Sequence, residues 1–211
     1  MVINDKDKSK IDWYCNQILK NKSQYQAVES SSNVPWYVVG ITHGLEASFD
    51  FDSCLHNGQP WNKITTMVPR GRGPWKSWID AAVDAVKYDK LNEIEFDCIE
   101  KCLFAFEKYN GFGYEMRGKP SPYLYAGSNQ YVSGKFIEMP FFPSYYSEST
   151  VSKQIGAAVI LKKLIMAGEV SFDKTVMHEP IEKSSDEKPM NQNDTAMSFI
   201  DTVWKFICSL F

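Results

Sequence analysis

The 211-residue chain predicts an α+β domain, mostly helical, with one small β-hairpin set after the second helix. In most segments, apolar residues recur at helical spacing. Val34 to Ala47 (VPWYVVGITHGLEA) is apolar almost throughout and reads as a buried helix. The polar text that follows contains Asn57-Gly58, a strong hairpin signal.

Residues 1–10 are polar and read as a frayed end. Ile11, Tyr14, Cys15, Ile18 and Leu19 share one helical face, which predicts a helix over 8–25. Residues 29–33 (ESSSN) read as a loop. Asn33 is placed to cap the helix over 34–47, with Pro35 in its first turn. Residues 49–69 lose the helical period, and Lys63 to Val68 (KITTMV) has strand chemistry. Ser77 and Asp80 have capping-box spacing ahead of a helix to about Lys90. Phe96, Ile99, Leu103 and Phe106 mark the next helix, over 94–109. Residues 110–122 are a glycine- and proline-rich turn region. A short helix is expected over 123–131, an irregular aromatic loop over 132–148, and a helix over 151–167 that Gly168 ends. The domain organisation is then 1–168 as one domain, 169–195 as a polar linker, and 196–211 as an amphipathic helix.

Composition narrows the function classes. The net charge of −3 argues against a general nucleic-acid binder. Six Trp, eleven Tyr and thirteen Phe supply rings for a core or for stacking on flat ligand faces. The five cysteines (Cys15, Cys54, Cys98, Cys102, Cys208) are odd in number and lack a CxxC spacing. They read as reduced thiols. No secretory signal core and no membrane-length apolar run is seen. No cofactor and no metal is expected.

Glu46 carries the chemical reading. A carboxyl group on an apolar helix that empties into polar loops suits a general acid for glycosidic cleavage. Apolar surroundings raise its pKa so that it keeps its proton. The alternative is an ordinary solvent-facing residue at a helix end. His43, one turn earlier, either orients that carboxyl or packs under the hairpin. A metal site of His43, Glu46 and His56, with Asp50 or Asp52, is the minor reading, and a Cys54–His56 nucleophilic pair is weaker still. His56, Asn57, Gln59, Asn62, Thr65 and Thr66, with Arg70 and Arg72, make either a substrate-binding wall or a solvated hairpin.

The text WYVVGITHGLEASFDF, followed by a hairpin, resembles the catalytic helix of the lysozyme-like superfamily, which includes phage, goose-type and lytic-transglycosylase members. LHNGQPWNKITTMVPRGRGPW, EKYNGFGY and SPYLYAGSNQY extend that resemblance over residues 10–168. It implies a two-lobed lysozyme-like domain and a peptidoglycan-cleaving glycosidase of muramidase or endolysin type, with Glu46 as catalytic acid. It also implies substrate contacts from His56, Asn57, Gln59, Thr65, Thr66, Arg72, Tyr109, Asn110 and Tyr123. Tyr125 and Tyr131 are further groove or core aromatics. A second acid on the hairpin is not evident: Gln59, Thr65 and Thr66 stand there, while Asp50 and Asp52 lie close to Glu46 in sequence. Hydrolysis and a single-acid transglycosylase route both remain open, as does an inactive wall-binding or phage structural module, and chitinase-like action on N-acetylglucosamine polymers. The expected partner is the glycan strand of peptidoglycan, met by a monomer that acts at the bacterial wall and, if phage-encoded, leaves through a holin pore. Residues 196–211 are expected to dock on the domain, a membrane surface or a partner helix.

Overall fold

The computed structural model describes residues 1–139 and 142–172. The expected amphipathic helix over 196–211, and the linker beyond residue 172, lie outside the described residues. Seven α-helices and one two-stranded antiparallel sheet are present among them, so the chain is α+β and mostly helical. No helix of the described residues is long and apolar enough to cross a membrane.

The centre is α3 (Trp36–Ala47), whose residues from Trp36 to Leu45 are all buried. α1 (Lys8–Lys20), α2 (Lys22–Ser32), α5 (Ile99–Asn110) and α7 (Ala157–Met166) pack around it. An all-round apolar helix has no face to give to water, so it takes the middle of the domain. Gly40 admits its neighbours closely: a Cβ there would sit 3.0 Å from both Ile18 and Tyr25. The expected helix over 8–25 is instead two helices, broken at Asn21, whose side-chain amide donates to the Gln17 carbonyl at 2.9 Å. α2 runs on through the serines expected as a loop. Asn33 closes α2 in a left-handed conformation (φ 62°) rather than capping α3, and Pro35 is the residue that precedes α3.

α4 (Trp78–Tyr88) starts as its sequence predicts, with the Ser77 side chain accepting from the Asp80 amide. α5 begins later than expected, after Cys98. α6 is a single turn, Pro122–Tyr125. The amino terminus is pinned, not frayed. Ile3 bridges Ser128, and the Val2 amide donates to the Asn129 side chain at 2.7 Å.

The hairpin is in the wrong half of the sequence for the expectation. Residues 49–69 form no strand. Gly58 takes the turn conformation (φ 71°), but Ser53 and Pro60 make only an isolated bridge. Pro60 and Pro69 have no amide to donate to a ladder. The Gln59 side chain takes the ladder's place, accepting from the amides of Thr66 and Met67, each at 2.9 Å. The strands are β1 (Lys135–Met139) and β2 (Phe142–Ser147), in the segment expected to be an irregular loop. Their register pairs Lys135 with Ser147, Phe136 with Tyr146 and Ile137 with Tyr145, and then slips at a bulge. Facing aromatics stabilise this pairing: the Phe136 and Tyr146 rings lie 5.4 Å apart, and both pack on Tyr114.

Residues 169–172 stay on the domain. Val170 is buried, the Phe172 ring meets Tyr37, and Glu169 pairs with Lys22 at 3.1 Å.

One contact sets the spacing between α6 and α7. A Cβ on Gly156 would lie 2.2 Å from the Leu124 carbonyl oxygen and 2.6 Å from the Tyr125 amide. Backbone cannot yield as a flexible side chain does. Gly156→Ala is therefore expected to cost about 3 kcal/mol, read as a fall in Tm of roughly 10 °C by calorimetry.

Candidate functional site

A cleft of about 540 Å³ opens between the carboxyl end of α3 and the hairpin. Leu45 and Glu46 form its floor on α3. Asn110 to Tyr114 make one wall at the end of α5, and Pro122 and Tyr123 a second on α6. Lys135, Phe136 and Ser144 come from the hairpin, and Ser152 and Gln154 from the segment before α7.

Glu46 reaches this place because α3 stops just beyond it. Ser48 (φ 50°) and Phe49 (φ 64°) both adopt left-handed backbone, a sparsely populated conformation for residues with side chains. The Phe49 ring folds back over Gly44, where a Cβ would come within 2.5 Å of it. The Leu45 carbonyl, left without a helical partner, accepts from the Gln154 side chain at 2.6 Å. The last turn of α3 is thus tied to the cleft's far rim.

The Glu46 carboxyl is open to the cleft, while protein fills the remainder of its surroundings. That loss of water raises its pKa above the ordinary carboxylate range. The Tyr123 hydroxyl donates to Oε1 at 2.7 Å and opposes the rise, and negative charge on Asp89 adds to it. Tyr123 is buried, so its donor has a fixed direction. The arrangement is a carboxyl group biased towards its protonated form, held by one aimed hydrogen bond, with a polar opening in front.

The sequence-predicted residues divide sharply. Glu46, Asn110 and Tyr123 meet in the cleft. Tyr109 is not among the lining residues; its hydroxyl donates to the Leu55 carbonyl at 2.7 Å. His56, Asn57, Gln59, Thr65, Thr66 and Arg72 do not line the cleft either; their polar atoms hold their own loop together. His56 Nε2 lies 2.8 Å from Asp84, and Arg72 grips the same carboxylate with two nitrogens. That carboxylate is held below its usual pKa, first by Arg72. Asn57 Nδ2 donates to the carbonyls of Met67 and Val68. Gln59 donates to Thr66 Oγ1 at 2.9 Å, and Thr65 Oγ1 donates to the Pro69 carbonyl at 2.6 Å. Arg72 also lies over the Tyr88 ring. The contacts of His56 and Arg72 with Asp84 and Tyr88 latch the loop onto α4.

His43 is a core residue. Its Nε2 donates to the Asp50 carbonyl at 3.1 Å, which leaves Nδ1 to accept from Tyr25 at 3.0 Å. Burial pushes its pKa down to about 4. Asp50 and Asp52 are outside the cleft lining, and Asp50 is occupied by Ser53 and the Asp52 amide. No group of three or more His, Cys, Asp or Glu is placed to hold a metal ion among the described residues. Tyr125 and Tyr131 are buried; Tyr131 bonds to the Gly134 carbonyl and the Ser152 amide. The hairpin side chains and Gln154 were not signalled by any motif, because their place in the cleft depends on how distant segments pack.

One further acid, outside the lining, is buried. Glu107 on α5 is only 7% exposed, and burial raises its pKa from 4.5 to about 7. No family model, no curated protein and no solved structure matches this chain.

Two measurements probe these acids. In Tyr123→Phe the Glu46 carboxylate loses its donor, so its titration midpoint is expected to rise, as read by carboxyl carbon NMR. For Glu107 the folded-state pKa lies above the unfolded one, so its stabilisation is complete below about pH 4.5 and lost as pH climbs through about 7. The span is about 3 kcal/mol. Between pH 5 and 8, Glu107→Gln is expected to lose less stability than wild type in denaturant titrations.

Proposed function

We propose that this protein is a glycosidase of the lysozyme-like superfamily that cleaves the glycan strands of peptidoglycan between N-acetylmuramic acid and N-acetylglucosamine. The observation that carries the reading is Glu46. Its carboxyl has a raised pKa, accepts one hydrogen bond from buried Tyr123, and faces a cleft large enough for sugar rings. A leaving-group oxygen needs a proton as an oxocarbenium-like state forms, and Glu46 is placed to supply it. Phe112, Tyr114 and Phe136 give the walls ring faces, and Asn110, Ser144, Ser152 and Gln154 give them hydrogen-bonding groups. The resemblance of WYVVGITHGLEASFDF and EKYNGFGY to that superfamily supports the same residue as the acid.

One observation favours a particular route. Among the described residues lining the cleft, Glu46 is the one carboxylate. An inverting or a double-displacement hydrolase uses two facing carboxyl groups. A single acid suits attack by the substrate's own N-acetyl group or 6-hydroxyl, and the second reading is accordingly a lytic transglycosylase.

Turbidity clearing of purified cell walls tests the reading. Wild type is expected to clear them, and Glu46→Gln to lose activity by about 100- to 10,000-fold. Equal clearing by both proteins removes Glu46 from the acid role. Mass spectrometry of the released muropeptides separates the routes: anhydro products, lighter by one water, mark the transglycosylase, and reducing ends mark hydrolysis. Binding of wall sacculi without new ends of either kind marks a wall-binding module.

A further inference from the structure

Glu107 is the buried acid that the proposed chemistry leaves unused. Among the described residues, neither of its carboxyl oxygens meets a partner at full hydrogen-bond geometry, and buried Ser121 Oγ meets none either, although Ser121 and Asn110 are near enough to lower the Glu107 pKa. Buried polar atoms without partners are rare and call for a reason. Ser121 and Asn110 are the polar side chains closest in effect to the Glu107 carboxyl. Asn110 lies one turn further along α5 and lines the cleft. Ser121 immediately precedes α6. Pro122 and Tyr123 follow it, so whatever holds Ser121 also sets where Tyr123 begins.

Among the described residues, the groups facing Glu107 are Asn110 from α5, Tyr114 and Glu115 from the segment after it, Ser121 just before α6, and Tyr123 and Tyr125 on α6. None of these is a cation. An ionised Glu107 would have no counter-charge, and Glu115 would oppose it. A neutral carboxyl brings one O–H donor and an acceptor, and a serine hydroxyl brings both as well. The two orphaned groups complement each other.

We infer that Glu107, as a neutral acid, is the positioning residue that clasps the start of α6 to the end of α5 and thereby sets Tyr123 against Glu46. The inference deepens the glycosidase reading and rests on it for its consequence in catalysis. Its structural content does not need a substrate.

The test is the titration of Glu46, followed by carboxyl carbon NMR in the full chain with glutamate labelled. A neutral acid carries no charge to remove, so a shift at Glu46 on substituting Glu107 reports a lost hydrogen bond. Glu107→Gln keeps a neutral group with donor and acceptor, and Glu46 is expected to titrate as in wild type. Glu107→Ala and Ser121→Ala each remove half of the clasp. In both, the Glu46 midpoint is expected to move upward, towards its position in Tyr123→Phe. A residue that merely stabilised the fold would lower Tm and leave that midpoint in place. An unchanged midpoint in both alanine variants overturns the positioning role, as does a Gln variant that shifts as far as the alanine one. If Glu107→Ala does not fold, Ser121→Ala alone decides. Wild type that clears no cell walls ends the glycosidase reading, and the NMR result still decides the clasp.

Discussion

Tyr123 and Glu46 are 77 positions apart, and their 2.7 Å hydrogen bond depends on everything between them. It needs α3 to end one residue past Glu46, α5 to carry Asn110 to the cleft edge, and α6 to turn Tyr123 inward. Each condition has its own physical cause. Left-handed Ser48 and Phe49 stop α3. The Asn110–Tyr114 segment is fixed by the aromatic packing of Tyr114 on the hairpin. α6 is held down by the near-contact of its backbone with Gly156.

The site is electrostatically uneven, and the unevenness follows from packing. Glu46, Asp89 and Glu107 all have pKa values raised by burial, whereas Asp50 and Asp84 have theirs lowered by hydrogen bonds. Low-dielectric surroundings penalise a charge unless a partner meets it. On the α4 side Arg72 and His56 meet Asp84, so that carboxylate is ionised and structural. On the cleft side, the one donor to Glu46 among the described residues is a neutral tyrosine. Two populations of carboxyl group therefore coexist in one small domain: one whose pKa is lowered by the partners that hold the loop, and one whose pKa is raised by burial.

The loop over residues 53–75 shows how a polar segment can look like a binding wall and be something else. Its Asn, Gln, Thr, Arg and His side chains are the groups a glycan would want. Asn57, Gln59 and Thr65 are instead consumed within the loop, whose backbone no strand pairing satisfies, and His56 and Arg72 by Asp84 on α4. Buried or half-buried backbone must find partners, and where prolines interrupt a ladder, side chains replace it. The polar lining of the cleft comes instead from segments whose local text is unremarkable, Ser144 on β2 and Ser152 and Gln154 before α7.

The amino-acid sequence by itself determined the helical core. The apolar run from Trp36 to Leu45 made a central helix inevitable, and the Ser77–Asp80 spacing started α4. Glu46 was legible as the polar exception on that buried helix, and Asn110 and Tyr123 through the text around them. These are local signals, a period or a cap read within one turn or two. The location of the sheet was not legible, because Asn57-Gly58 states only what a turn permits, while pairing depends on which strand has a free partner and a ring to pack on. Nor was the occupation of His43, His56 and Arg72 by Tyr25 and Asp84, nor the burial of Glu107 beside Ser121. Only the tertiary structure decided those, since a side chain's partner and its distance from water are properties of segments far apart in sequence that the fold brings together.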